Sequence, residues 1–121
     1  MTVDNGNINV TISIMKFRLI EFVEGNGRSP FGDWFESLDS TVAARIHRYL
    51  RRVEFGNFGD TRSVGNGVHE LKVHFGPGYR VYFAREGAVL VVLLGGGDKG
   101  SQSRDIEQAT AKWRRYQARE V

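Results

Sequence analysis

Three observations predict an α+β domain. Apolar residues recur at helical spacing in three segments. They alternate with polar residues in short runs and fill one further run completely. These segments follow one another in the order β-α-α-β-β-β-α. Strands joined by short turns pair antiparallel, so a mostly antiparallel sheet is expected, packed by a helical hairpin and a C-terminal helix. The 121 residues suit one such domain. It is expected to occupy residues 15–121, with residues 1–14 as an N-terminal leader or strand extension.

The Asn-, Thr- and Gly-rich start gives way at Met15 to Lys16-Phe17-Arg18-Leu19, whose alternation predicts a strand with one face buried. Asn9 to Ser13 could extend that strand. After Gly25-Asn26-Gly27, Ser29-Pro30 reads as a helix start, with a hydroxyl cap and proline at the first helical position. Phe31, Trp34, Phe35 and Leu38 follow on one helical face. Asp39-Ser40 opens a second helix, with Val42, Ile46, Tyr49, Leu50 and Val53 along one side. Gly56 to Gly67 reads as a glycine-rich connector. Val68–Phe75 and Tyr79–Ala84 alternate and are separated by the turn Gly76-Pro77-Gly78. Ala88 to Leu94 is apolar throughout, as a strand covered on both faces would be. Gly95-Gly96-Gly97-Asp98-Lys99-Gly100 is expected to end the sheet. A last helix from about Gln102 to Arg119 places Ile106, Ala109, Trp113 and Tyr116 on one face.

Composition excludes several classes. There is no cysteine, so disulfides, thiolate metal sites and cysteine nucleophiles are absent. No apolar run approaches the roughly 18–20 residues of a membrane-spanning helix, and no membrane partner is expected. No basic segment leads an apolar one at the start, so a cytoplasmic location is expected. His69 and His74 point to opposite faces of a regular strand and cannot share an ion. No metal site and no cofactor is expected. Lys99 precedes Gly100-Ser101, the wrong order for a Walker loop.

Seventeen Lys and Arg against 14 Asp and Glu give a formal charge of +3. Arg45, Arg48, Arg51 and Arg52 form an acid-free basic cluster on the second helix, with Arg62 following in the connector. Such arginines can follow a phosphate backbone, although charge alone also fits a solvated helical face. Lys72 and His74 on one strand, with Arg80 and Tyr82 on the next, are expected to share an outward face across the hairpin. A lysine, a histidine, an arginine and a phenol suit metal-free RNA cleavage. There the ribose 2′-hydroxyl attacks the adjacent phosphate, a base takes its proton, cations stabilise the phosphorane and an acid protonates the leaving oxygen.

Four stretches carry a resemblance: Gly56-Asn-Phe-Gly-Asp60, Val64-Gly-Asn-Gly-Val-His-Glu-Leu-Lys72, Gly76-Pro-Gly-Tyr-Arg-Val-Tyr-Phe83 and Leu93-Leu-Gly-Gly-Gly-Asp-Lys99. The chain resembles the addiction-module killer proteins, a branch of the RelE/ParE toxin superfamily close to the HigB-type toxins. The resemblance covers roughly Met15 to Trp113. It implies the toxin of a type II toxin–antitoxin system, with a helix-turn-helix DNA-binding antitoxin as partner. It implies cleavage of messenger RNA on the ribosome without metal, and it places basic residues where Lys72, Arg80 and Lys99 stand here. Lys72 would stabilise charge or act as base, Arg80 would clamp the scissile phosphate and Lys99 would add a second contact. The tyrosine that RelE-like enzymes carry in the C-terminal segment has no counterpart in Gln102–Ile106, which leaves His74 or Tyr82 as the acid that geometry offers. Glu70 stands where a further base would help. The same resemblance also covers ParE-like proteins that inhibit DNA gyrase by binding, and degenerate members that only bind an antitoxin and co-regulate transcription.

Overall fold

The computed structural model describes residues 2–5, 8–11 and 14–119, with side chains from residue 14 onward. Residues 1, 6–7 and 12–13 of the expected leader or strand extension, and residues 120–121, lie outside the described residues. The elements are β1 (Thr2–Asn5), β2 (Ile8–Thr11), β3 (Arg18–Glu21), α1 (Pro30–Glu36), α2 (Ser40–Glu54), β4 (Thr61–Gly65), β5 (Val68–Val73), β6 (Tyr79–Glu86), β7 (Leu90–Asp98) and α3 (Gln102–Arg119). One 3-10 turn, Lys99–Ser101, leads into α3. β1 and β2 pair antiparallel as a separate two-stranded sheet.

The main sheet has the order β3-β7-β6-β5-β4. Its β3–β7 pair is parallel and its other pairs are antiparallel. The fold is therefore α+β, as the periodicity predicts. Both helix starts form as read. Ser29 Oγ accepts from Gly32 N at 2.9 Å, and Asp39 Oδ1 accepts from Thr41 N at 3.4 Å.

Each helical face finds one side of the sheet. Phe31 of α1 and Val42, Ile46, Leu50 and Val53 of α2 pack on Leu71, Val73, Val81, Phe83, Val91 and Leu93. The alternate residues of the same strands, Val68, Tyr82, Ala84, Val92 and Leu94, pack on Ala109 and Trp113 of α3. Burying each such side chain stabilises the fold by roughly 1.5–3 kcal/mol. The sheet is thus covered on both faces, which explains the unbroken apolar run of β7.

Two expectations need correction. The connector Gly56–Gly67 contains a strand, β4, paired with β5 through a register shift between Ser63 and Gly65. The glycines at 95–97 do not end the sheet but lie inside β7, which continues to Asp98. Packing explains them better than turning. A bulge opposite Tyr82/Phe83 shifts the register. Beyond it, a Cβ on Gly96 would overlap the Trp34 ring, and one on Gly97 would overlap the Asp105 carboxylate. The absence of side chains lets α1 and α3 close on the sheet from opposite sides. Gly96→Ala is expected to lower unfolding free energy by about 1–3 kcal/mol through overpacking, measured by urea denaturation. Unchanged stability would mean that Trp34 is free to move aside.

Candidate functional site

The α3-facing side of the sheet carries two polar rows. Strand register generates both. Lys72 of β5 lies opposite Arg80 of β6, which lies opposite Gly97 of β7. Directly opposed side chains have Cβ atoms about 4.5–5.5 Å apart, so Lys72 and Arg80 are neighbours. The row begins with Asp60, whose carbonyl accepts from Lys72 N at 2.9 Å. One step along the strands, Arg62, Glu70, Tyr82 and Gly95 form the second row.

Glu70 is the centre of the second row and is fully buried. Its Oε1 accepts from Arg62 Nε at 3.0 Å. Its Oε2 accepts from the Tyr82 hydroxyl at 3.1 Å and from Gln102 Nε2 at 2.8 Å. Arg80 Nε stands 3.6 Å from the same oxygen. Burial pushes the Glu70 pKa up, but the hydrogen bonds from Gln102, Arg62 and Tyr82 together outweigh it and hold the carboxyl below its ordinary value. Tyr82 moves the other way: burial first, then the charge and hydrogen bond of Glu70, raise its pKa far above the ordinary phenol value. The phenol therefore stays protonated as a donor to Glu70.

Lys72 is half-buried, while Arg80 is only 8% exposed and its Nε has no hydrogen-bond partner. Arg80 Nη1 donates to Gly78 O at 3.3 Å, a long bond. His74 follows β5 and is exposed, with Nε2 2.7 Å from Asp60 Oδ2. Lys99 is exposed, and its backbone N–H donates to Gly78 O at 3.1 Å, which holds it beside the β5–β6 turn. His69 is turned away and stacks on Phe83 at 5.4 Å.

These placements redistribute the residues singled out by sequence. Lys72 and Arg80 come together, flanked by His74 and Lys99. Tyr82 does not share an exposed face with them, because α3 covers it and its exposure is 0%. Strand alternation gave its face correctly but gave no sign that a helix would cover that face. The α2 arginines lie on the other side of the sheet. Arg45 reaches Phe75, next to His74, with its guanidinium 4.7 Å from the ring centre. Arg45 and Arg48 line an open cleft of about 440 Å³ with Ser40, Thr41 and Ala44. Arg51 pairs with Glu54 at 3.0 Å, and Arg52 lies over Tyr49. Arg62 pairs with Glu70 and belongs to the polar rows. Asp60, Glu70 and Gln102 were missed as site residues. For Glu70 a signal existed: a carboxylate alternating in phase with Lys72 sits on the same strand face.

The matching family model is described as "Phage derived protein Gp49-like (DUF891)" and spans residues 33–116, which is 84 of 121 residues. The chain belongs to the Gp49-like family. This family is of the RelE/ParE-like toxin type. An uncharacterized protein of Haemophilus influenzae is 48% identical over 80 residues, covering 65% of this chain and 81% of the relative. The Gp49-like match includes both polar rows and stops before the end of α3. Among the described residues, no group of three or more His, Asp or Glu could hold a metal ion. No described helix is long and apolar enough to cross a membrane.

The Glu70 carboxyl links stability to pH. Its folded-state pKa lies below the ordinary value of 4.5, so its contribution is complete above pH 4.5 and is lost as pH falls through the folded-state value. A Glu70→Gln variant should therefore be less stable at neutral pH and show a flatter stability curve below pH 4.5. A variant curve parallel to the wild type would count against the network. Tyr82→Phe is expected to cost about 1 kcal/mol, read in the same denaturation series, because Glu70 loses one of its donors.

Proposed function

We propose that this Gp49-like protein is the toxin of a type II toxin–antitoxin system and cleaves messenger RNA on the ribosome without a metal ion. The observation that carries this reading is the Lys72–Arg80 pair, with His74, paired to Asp60, two residues beyond Lys72. Two adjacent cations suit a phosphodiester and the greater negative charge of the phosphorane that follows. In the proposed reaction the ribose 2′-oxygen forms a bond to phosphorus and the bond to the 5′-oxygen breaks. The proton of the 2′-hydroxyl leaves to a base, and the departing 5′-oxygen takes a proton. Arg80 holds the phosphate by its charge, and Lys72 lies beside it. Lys99 approaches from the β5–β6 turn.

His74 is the group suited to protonate the leaving oxygen. Asp60 accepts from one ring nitrogen and so orients the other. Tyr82 acts through Glu70 and touches no substrate. Arg45 and Arg48 extend contact to the RNA backbone beyond the hairpin, whereas Arg51 and Arg52 are engaged on their own helix. The proposed partner is an antitoxin, of the helix-turn-helix type by the resemblance.

The test is induction in cells lacking the antitoxin, with messenger RNA 5′ ends mapped over the first minutes. New ends within translated messages are expected, and Arg80→Ala should abolish both these cuts and growth arrest while the purified variant stays folded. A toxic Arg80→Ala protein would sink this site. Growth arrest with intact messages and DNA damage would point instead to gyrase, since fold alone does not choose between the two activities. Unaffected growth would leave an antitoxin-binding protein.

A further inference from the structure

We propose that Glu70 is the positioning residue of the phosphate subsite: its buried carboxylate holds the Arg80 guanidinium in place by charge without closing a hydrogen-bonded pair on it. This rests on reading Lys72 and Arg80 as phosphate-binding residues. A guanidinium as buried as Arg80 needs a countercharge, because taking an ion out of water is costly. The usual answer is a bidentate pair in which the two N–H donors of the fork meet the two carboxylate oxygens. Such a pair would consume the donors that an anion needs.

The geometry around Glu70 prevents that pairing. Oε2, the oxygen nearer Arg80, already accepts from Tyr82 at 3.1 Å and Gln102 at 2.8 Å, and Oε1 accepts from Arg62 at 3.0 Å. Arg80 Nε is left at 3.6 Å, close enough for charge attraction and too far for a hydrogen bond. It is buried and bonded to nothing else. Three donors from β4, β6 and α3 thus keep the carboxylate from closing on Arg80. A countercharge supplied without hydrogen bonds seats the guanidinium without closing its fork on the carboxylate.

The expected effect of removing Glu70 is opposite in sign to simple electrostatics. Removing a negative charge beside an anion site should tighten anion binding; losing the group that seats Arg80 should weaken it. The experiment follows the Arg80 Nε–Hε resonance of the full chain by NMR during titration with inorganic phosphate, together with cleavage of ribosome-bound messenger RNA. In the wild type the resonance should lie apart from those of exposed arginines and shift with phosphate. Glu70→Gln should return it toward the exposed position, weaken phosphate binding about tenfold and lower kcat about 100-fold with KM changed less than threefold. That split follows because a misplacement near 1 Å costs about 10²-fold in rate, while the exposed cations that bind RNA are untouched.

Gln102→Ala provides a second variant should Glu70→Gln fail to fold. It frees Oε2 to bond Arg80 directly, so phosphate binding should fall several-fold with the backbone amide spectrum retained. If either folded variant binds phosphate as tightly as the wild type or tighter, the proposal is overturned. A wild-type resonance that does not respond to phosphate overturns it equally. A wild type that binds phosphate in this Glu70-dependent way and cuts no RNA would overturn the nuclease reading and leave the positioning role standing. A wild type that cuts RNA with an undiminished Glu70→Gln would do the reverse.

Discussion

A carboxylate with no solvent exposure is costly to fold, and Glu70 sits in the middle of a strand with α3 above it. Its charge is held by groups from β4, β6 and the first turn of α3, each contributing a donor, with the Arg80 guanidinium nearby. Without these partners together the charge would be stranded, which is far more costly than losing a surface pair. The register of three strands and the seating of α3 are therefore tied to one side chain. A one-residue slip of β5 would swing Glu70 onto the α2 side among the apolar Ile46, Val81 and Phe83. The same slip would move Lys72 away from Arg80. Fold specificity and site geometry rest on the same constraint.

The close approach of the helices to β7 depends on a second constraint, the glycine run at 95–97. Trp34 lies over Gly96 from one side, and Asp105, bonded to Ser101, lies over Gly97 from the other. With side chains there, α3 could not bring Gln102 within 2.8 Å of Glu70. The bare strand thus lets the start of α3 close over the polar rows.

Much of the fold was legible because helical and strand periods are local. The faces of α1, α2 and α3, the caps at Ser29 and Asp39, and the β5–β6 hairpin all follow from neighbours within a few residues. What was not legible depends on distant partners. β4 hid in the stretch from Gly56 to Gly67, since Thr61-Arg62-Ser63 carries no apolar alternation and becomes a strand by pairing with an already formed β5. The glycines of β7 resemble a turn in sequence and prove to be contact surfaces. Tyr82 was placed on the correct strand face, but alternation cannot tell that α3 will cover it. Lys72 and Arg80 were readable as a cross-strand pair. Asp60 and Gln102 were not, because each reaches the site from another element.

The charges around Lys72 and Arg80 explain how a cationic site can persist before any ligand arrives. Lys72, Arg80 and Arg62 carry three positive charges, and Glu70, Asp60 and Asp105 carry three negative ones, so these charges balance within the fold. Two neighbouring cations alone would repel and push their strands apart. Here Glu70 stands next to Arg80, while the Asp60 backbone carbonyl holds the Lys72 N–H. In the proposed reaction the phosphorane carries more negative charge than the phosphodiester, and the exposed Lys99, held beside the β5–β6 turn, is a further cation for it. On the proposed reading, a cation that meets this extra charge contributes more to the transition state than to the ground state, which is the condition for binding energy to appear as rate.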